Sequence, residues 1–126
     1  MLDYSLEHKG PMYFRSSVEP TPTIYDDNYQ FEFGKASIPV AGDDGAFIVS
    51  GITVKYAVAA AEVIKEKYGK NIRVVDMHTV KPLDKEAVID AAKTGTVVVA
   101  QDHSVVGGLG QLVAMTLIEA GVCPKF

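Results

Sequence analysis

The stretch IRVVDMHTVKPLDKEAVIDAAKTGTVVVA, residues 72–100, decides the fold. Its first six residues, Ile72-Arg73-Val74-Val75-Asp76-Met77, are rich in β-branched side chains and predict a strand. After Lys81-Pro82-Leu83, Asp84 stands where a helix wants its N-cap, and Ala87, Val88, Ala91 and Ala92 follow at helical spacing on one face. Thr96-Val97-Val98-Val99-Ala100 is then a continuous apolar run, suited to a strand covered on both faces. A strand, a helix and a strand in so short a span imply parallel strands joined by a right-handed crossover.

The same alternation extends outward in both directions. Upstream, Val54, Ala57, Val58, Ala61, Ile64 and Tyr68 keep three- and four-residue spacing, with Thr53 as the expected N-cap and Gly69 past the end. Before that helix, Ala36–Val40 and Ala46–Val49 flank the turn cluster Gly42-Asp43-Asp44-Gly45, a pattern that predicts an antiparallel hairpin. Downstream, Leu109 to Ala120 resumes helical spacing through Leu112, Val113, Thr116 and Leu117. The closing Cys123-Pro124-Lys125-Phe126 leaves this helix with no returning strand, so the domain is expected to be cut short there. The fold class expected is α/β: three layers, α/β/α, around a mixed, mainly parallel sheet with one antiparallel strand.

The N-terminal quarter reads differently. Leu2 and Leu6 stand four apart in what resembles the end of a helix, Gly10-Pro11 stops it, and Met12-Tyr13-Phe14-Arg15 predicts a short strand. Glu19-Pro20-Thr21-Pro22-Thr23 is proline-punctuated and fits neither a helix nor a central strand. The expected division is a helix-strand remnant over 1–18, a linker over 19–30 and the main domain over 31–126.

Composition narrows the function classes. Of 126 residues, 12 are Lys or Arg and 16 are Asp or Glu, a net charge of -4 that lacks the basic surplus of a nucleic-acid binder. A single cysteine, Cys123, excludes an internal disulfide and the CxxC metal and redox signatures. Asp3 and Glu7 interrupt the N-terminus and no apolar run approaches the length of a membrane span, so neither a signal peptide nor a membrane partner is expected. A cytoplasmic location is the expectation.

Chemistry has few candidates. His78 and His103 each follow a predicted parallel strand, at the sheet edge where α/β ligands bind, and the competing reading is local loop closure or a subunit interface. Asp102 precedes His103, but adjacent strand-end residues point apart. Gly107, Gly108 and Gly110 open the last helix, where backbone N–H groups can meet an anion or effector, or where glycine simply permits close packing. Asp43 and Asp44 read as turn residues and no metal site is assigned. There is no GxSxG, HExxH or phosphate-loop pattern.

Gly10-Pro11-Met12-Tyr13-Phe14-Arg15, the phrase RVVDMHTVKPLD at 73–84, and Gln101-Asp102-His103 leading into Gly107-Gly108-Leu109-Gly110 together resemble the transketolase family, especially members encoded as separate N- and C-terminal subunits. The resemblance implies a thiamine diphosphate and magnesium enzyme that moves a two-carbon ketol unit between sugars, working as a homodimer. This chain resembles its third, C-terminal domain, preceded by the end of the pyrimidine-binding domain and a crossing linker. The cofactor-binding motifs of the family belong to domains outside these residues, so this chain is expected to bind no cofactor, to be inactive alone and to partner the N-terminal domains or subunit. No catalytic or cofactor-binding residue is therefore assigned. Arg15 matches the first arginine of the family phrase, whereas the column of the substrate-phosphate arginine falls on Val18, which implies a phosphate contact elsewhere or a preference for unphosphorylated sugars. The same domain occurs in 1-deoxy-D-xylulose-5-phosphate synthase and in the β chain of 2-oxo acid dehydrogenases. A non-catalytic interaction or effector module, and a nucleotide-binding protein using Gly107–Gly110, are the readings from other classes.

Overall fold

A computed structural model describes residues 1–125. Phe126, the last residue of the expected C-terminal tail, lies outside the described residues. Four strands form one mixed sheet: β1 (Ser37–Val40), β2 (Gly45–Ser50), β3 (Ile72–Asp76) and β4 (Val97–Gln101), in the order β1-β3-β2-β4. β2 runs parallel to both β3 and β4, and β1 runs antiparallel to β3. α2 (Thr53–Tyr68) links β2 to β3, α3 (Lys85–Ala92) links β3 to β4, and α4 (Leu109–Glu119) follows. A short α1 (Leu2–Glu7) stands at the N-terminus.

Alternating residues of the central strands divide the interior into two apolar clusters. Ala46, Ile48, Val75 and Met77 pack with Val88, Ala91 and Ala92 of α3 and with Leu109, Val113 and Leu117 of α4. Val49 and Val74, on the opposite face, pack with Val54, Ala57 and Ala61 of α2. Side chains that alternate across a strand force this two-sided covering, and it yields the three layers expected. The linker contributes as well, since Ile24 packs against the α2 cluster.

Helix ends follow local chemistry. The Asp84 carboxylate accepts from Ala87 N at 3.1 Å, which caps α3, and from Ala36 N at 2.9 Å, which ties the approach to β1 onto that helix. Gly69 ends α2 in the left-handed region at φ 65°, and its N–H donates to the Lys65 carbonyl.

Four expectations are corrected. First, β1 and β2 do not form a hairpin, because β3 lies between them. The turn instead clings to the start of β3: Asp44 accepts from Asn71 N at 2.8 Å and Lys70 Nζ at 2.9 Å, and Arg73 Nε donates to the Gly42 carbonyl at 3.0 Å. Second, Thr53 is the first helical residue and Ile52 holds the cap position without a side-chain bond. Third, Met12-Tyr13-Phe14-Arg15 is irregular, with no strand partner among the described residues. Fourth, β4 is an edge strand whose residues alternate in exposure, with Val98 at 42%. One face of its apolar run is open.

Candidate functional site

In a parallel sheet the strand order reverses where ligands usually enter, outside the carboxyl ends. Here that crevice lies between β2 and β4, and the protein fills it. The Thr53 hydroxyl accepts from Ser50 N at 3.3 Å and faces the carbonyls of Ser50 at 2.8 Å and Ala100 at 3.0 Å, bridging the ends of both strands.

Part of the glycine-rich entry to α4 is likewise satisfied from within. Gln101 Oε1 accepts from Leu109 N at 2.8 Å, and Gln111 Oε1 accepts from Gly107 N at 2.7 Å. Gly107 takes a left-handed φ of 77°, and a Cβ on Gly108 would stand 2.4 Å from the Ser104 carbonyl oxygen. Gly110 faces open space. Two side-chain amides occupy donors that an anion would need, so this turn is built for close packing of loop on helix.

The sequence candidates are not brought together. His103 is exposed and closes a backbone turn through His103 N to the Gln101 carbonyl at 2.9 Å. Arg15 lies against Asp102, donating to its carbonyl and reaching its carboxylate at 3.4 Å. Val18 is fully exposed. His78, in contrast, borders a cleft of about 650 Å³ at the end of β3, together with Tyr25, Tyr29, Phe31 and Asp76 and with Met1, Asp3 and Tyr4 at the α1 end.

That cleft is assembled by the linker. Tyr25 and Tyr29 stack with centroids 4.2 Å apart, and the Tyr29 hydroxyl bonds Ser37 Oγ at 2.8 Å at the start of β1. The Tyr25 hydroxyl donates to Asp76 Oδ2 at 2.8 Å, while the other carboxylate oxygen, Oδ1, is buried with no partner among the described residues. Phe31 leans on the His78 ring at 4.8 Å, and His78 Nδ1 meets Thr79 Oγ1 at 2.9 Å.

Burial governs the protonation of this group. It raises the Asp76 pKa, against the opposing Tyr25 hydrogen bond and His78 charge. It raises the Tyr25 phenol, reinforced by Asp76, and lowers His78, against the attraction of the Asp76 charge. Asp76 and Tyr25 were missed among the sequence candidates. An acidic residue interrupting the apolar run of a central strand was the available signal for Asp76.

Because the folded Asp76 carboxyl binds its proton more tightly than in the unfolded chain, its contribution to stability is full below the ordinary carboxylate pKa. That contribution is lost as pH rises through the elevated value. Asp76→Asn is therefore expected to melt higher than the unaltered chain at neutral pH, with the gap narrowing as pH falls towards about 4. Thermal scans across that range check it, and a gap that stays constant with pH contradicts it.

The residues present do not fit a diphosphate–magnesium group. Two N–H donors of the α4 turn, those of Gly107 and Leu109, are taken, Asp43 and Asp44 are paired with Arg73 and Lys70, and no three metal-ligating side chains converge among the described residues.

What fold and site define is a three-layer α/β domain whose strand-end positions are largely tied into its own structure. The family model for the transketolase C-terminal domain matches residues 34–124, and the chain belongs to that family. It is 43% identical over 120 residues to a 6-deoxy-6-sulfo-D-fructose transketolase subunit of Clostridium sp. (strain MSTE9), covering 94% of this chain and 36% of that protein. It is 35% identical over 119 residues to the transketolase of Homo sapiens, covering 90% of this chain and 19% of that protein. A solved split-gene transketolase, described as an inactive β4 tetramer, superposes with a TM-score of 0.73 at 37% identity, covering 78% of this chain and 33% of that one. The chain thus spans about a third or less of these relatives.

Proposed function

We propose that this chain is the C-terminal domain of a thiamine diphosphate-dependent transketolase of the split-subunit kind. Such an enzyme moves a two-carbon ketol unit between sugars, and the cofactor supplies the carbon–carbon chemistry. The match over residues 34–124, together with a relative that is itself a transketolase subunit, carries this reading. The domain's part is structural: it joins the N-terminal domains or subunit, in the cytoplasm, and helps to form a homodimer. The first 18 residues are the end of the preceding domain, and 19–30 is the linker. The synthase and dehydrogenase relatives share the fold, and the wording of HTVKPLD at 78–84 and DHSVVGGLG at 102–110 favours transketolase.

An interface role agrees with the apolar side chains left open around β4 and α4: Val98, Val105, Val106, Met115 and Ile118. Light scattering after size exclusion is expected to show a dimer whose population grows with concentration. A strict monomer at every concentration contradicts the dimerisation role.

A further inference from the structure

The cleft at the end of β3 has a chemical character that the transketolase reading does not use. Its lining is largely aromatic: the stacked Tyr25 and Tyr29, and Phe31 leaning against His78. Its charged side chains are the carboxylates of Asp3 and Asp76, and neither a lysine nor an arginine lines it. Asp76 is only 7% exposed, and Tyr25 occupies Oδ2 while Oδ1 lacks a donor.

This arrangement selects by charge. Ring faces are negative and attract a cation held over them, and a carboxylate beside them adds a charge-assisted hydrogen bond. The same groups repel phosphate or carboxylate, because no cationic side chain offsets them in the cleft. At about 650 Å³ the half-open cleft has room for a small molecule. It exceeds what one anchoring side chain fills.

We propose that the cleft bounded by Tyr25, Tyr29, Phe31, Asp76 and His78 binds a small organic cation with a guanidinium or primary ammonium head. The head group meets the Asp76 carboxylate where it lines the cleft, and the aromatic walls cover its apolar part.

The test is a calorimetric titration of the whole chain with butylguanidinium, its neutral isostere butylurea, and inorganic phosphate, with the His78 ring signals followed by NMR. Saturable binding of butylguanidinium is expected, with butylurea weaker by about tenfold or more and phosphate leaving the His78 signals unmoved. Asp76→Asn is expected to weaken butylguanidinium by about tenfold while Tyr25 and Tyr29 keep their signals. Equal binding of butylurea, saturable phosphate binding at His78, no saturable binding of butylguanidinium, or a folded Asp76→Asn that binds it unchanged would each overturn the proposal. If Asp76→Asn fails to fold, the ratio of butylguanidinium to butylurea on the unaltered chain decides.

Discussion

Gly42→Ala is expected to cost about 3 kcal/mol, the upper part of the usual range for overpacking, and to lower the melting temperature by roughly 10 °C. The cause is contact and not backbone strain, since Gly42 is outside the left-handed region. A Cβ there would stand 2.3 Å from the Asn71 carbonyl oxygen, 2.5 Å from its carbonyl carbon and 2.7 Å from the Ile72 carbonyl carbon. All three are main-chain atoms at the start of β3, held between β1 and β2, so none can rotate away. The close approach lets the turn lie across the end of β3 and deliver β1 to its far side. Gly45→Ala supplies the contrast, because its Cβ would meet chiefly the end of the Ile72 side chain, at 3.2 Å. Denaturant melts of both variants check the difference. A Gly42→Ala as stable as Gly45→Ala contradicts this placement of the turn.

The second large effect falls in the turn before α4. Gly108→Ala is expected to cost about 2 kcal/mol, because its Cβ would press to 2.4 Å on the Ser104 carbonyl and to 3.4 Å on the Gln101 amide oxygen that caps Leu109 N. Gly110→Ala is expected to be neutral or to stabilise by up to about 1 kcal/mol, since it sits inside the helix and meets open space. The pair separates two meanings of the same glycine cluster. If Gly108→Ala kept its stability, the turn would not be built on close packing. If Gly110→Ala lost as much as Gly108→Ala, the space around the helix start would be wrong.

Much of the fold was legible because its signals are local. Gly69 ends α2 and Asp84 caps α3 as their residue types require, and the apolar spacing of Val54, Ala57 and Ala61 marks the buried face of α2. The pairing of β1 was not local. Gly42-Asp43-Asp44-Gly45 carries hairpin chemistry, and what overrides it is a set of bonds to Lys70, Asn71 and Arg73 that lie about a helix's length further along. Periodicity reports which face a strand buries and says nothing about its neighbour. The valine run of β4 misled for a related reason: Val97 and Val99 pack against the core while Val98, equally apolar, faces outward.

The candidate site divides along the same line. His78 was legible as a strand-end residue, yet its surroundings come from Tyr25 and Tyr29 in the linker and Phe31 just after it, a stretch whose composition signals only a bridging chain. The Tyr25–Asp76 bond spans 51 positions. Gly107, Gly108 and Gly110 have the composition of an anion cradle, whereas Gln111 holds the Gly107 N–H and Gln101 that of Leu109, a use of glutamine that no spacing rule announces.

The most direct measurement of the central claim is a ketol-transfer assay with thiamine diphosphate and magnesium. It would use this chain alone and then joined to an N-terminal transketolase portion, over phosphorylated and unphosphorylated sugars. Activity only in the joined form is the predicted result, with Val18→Arg shifting preference towards phosphorylated sugars. Activity of the chain alone, or none in a correctly folded joined form, would contradict the assignment.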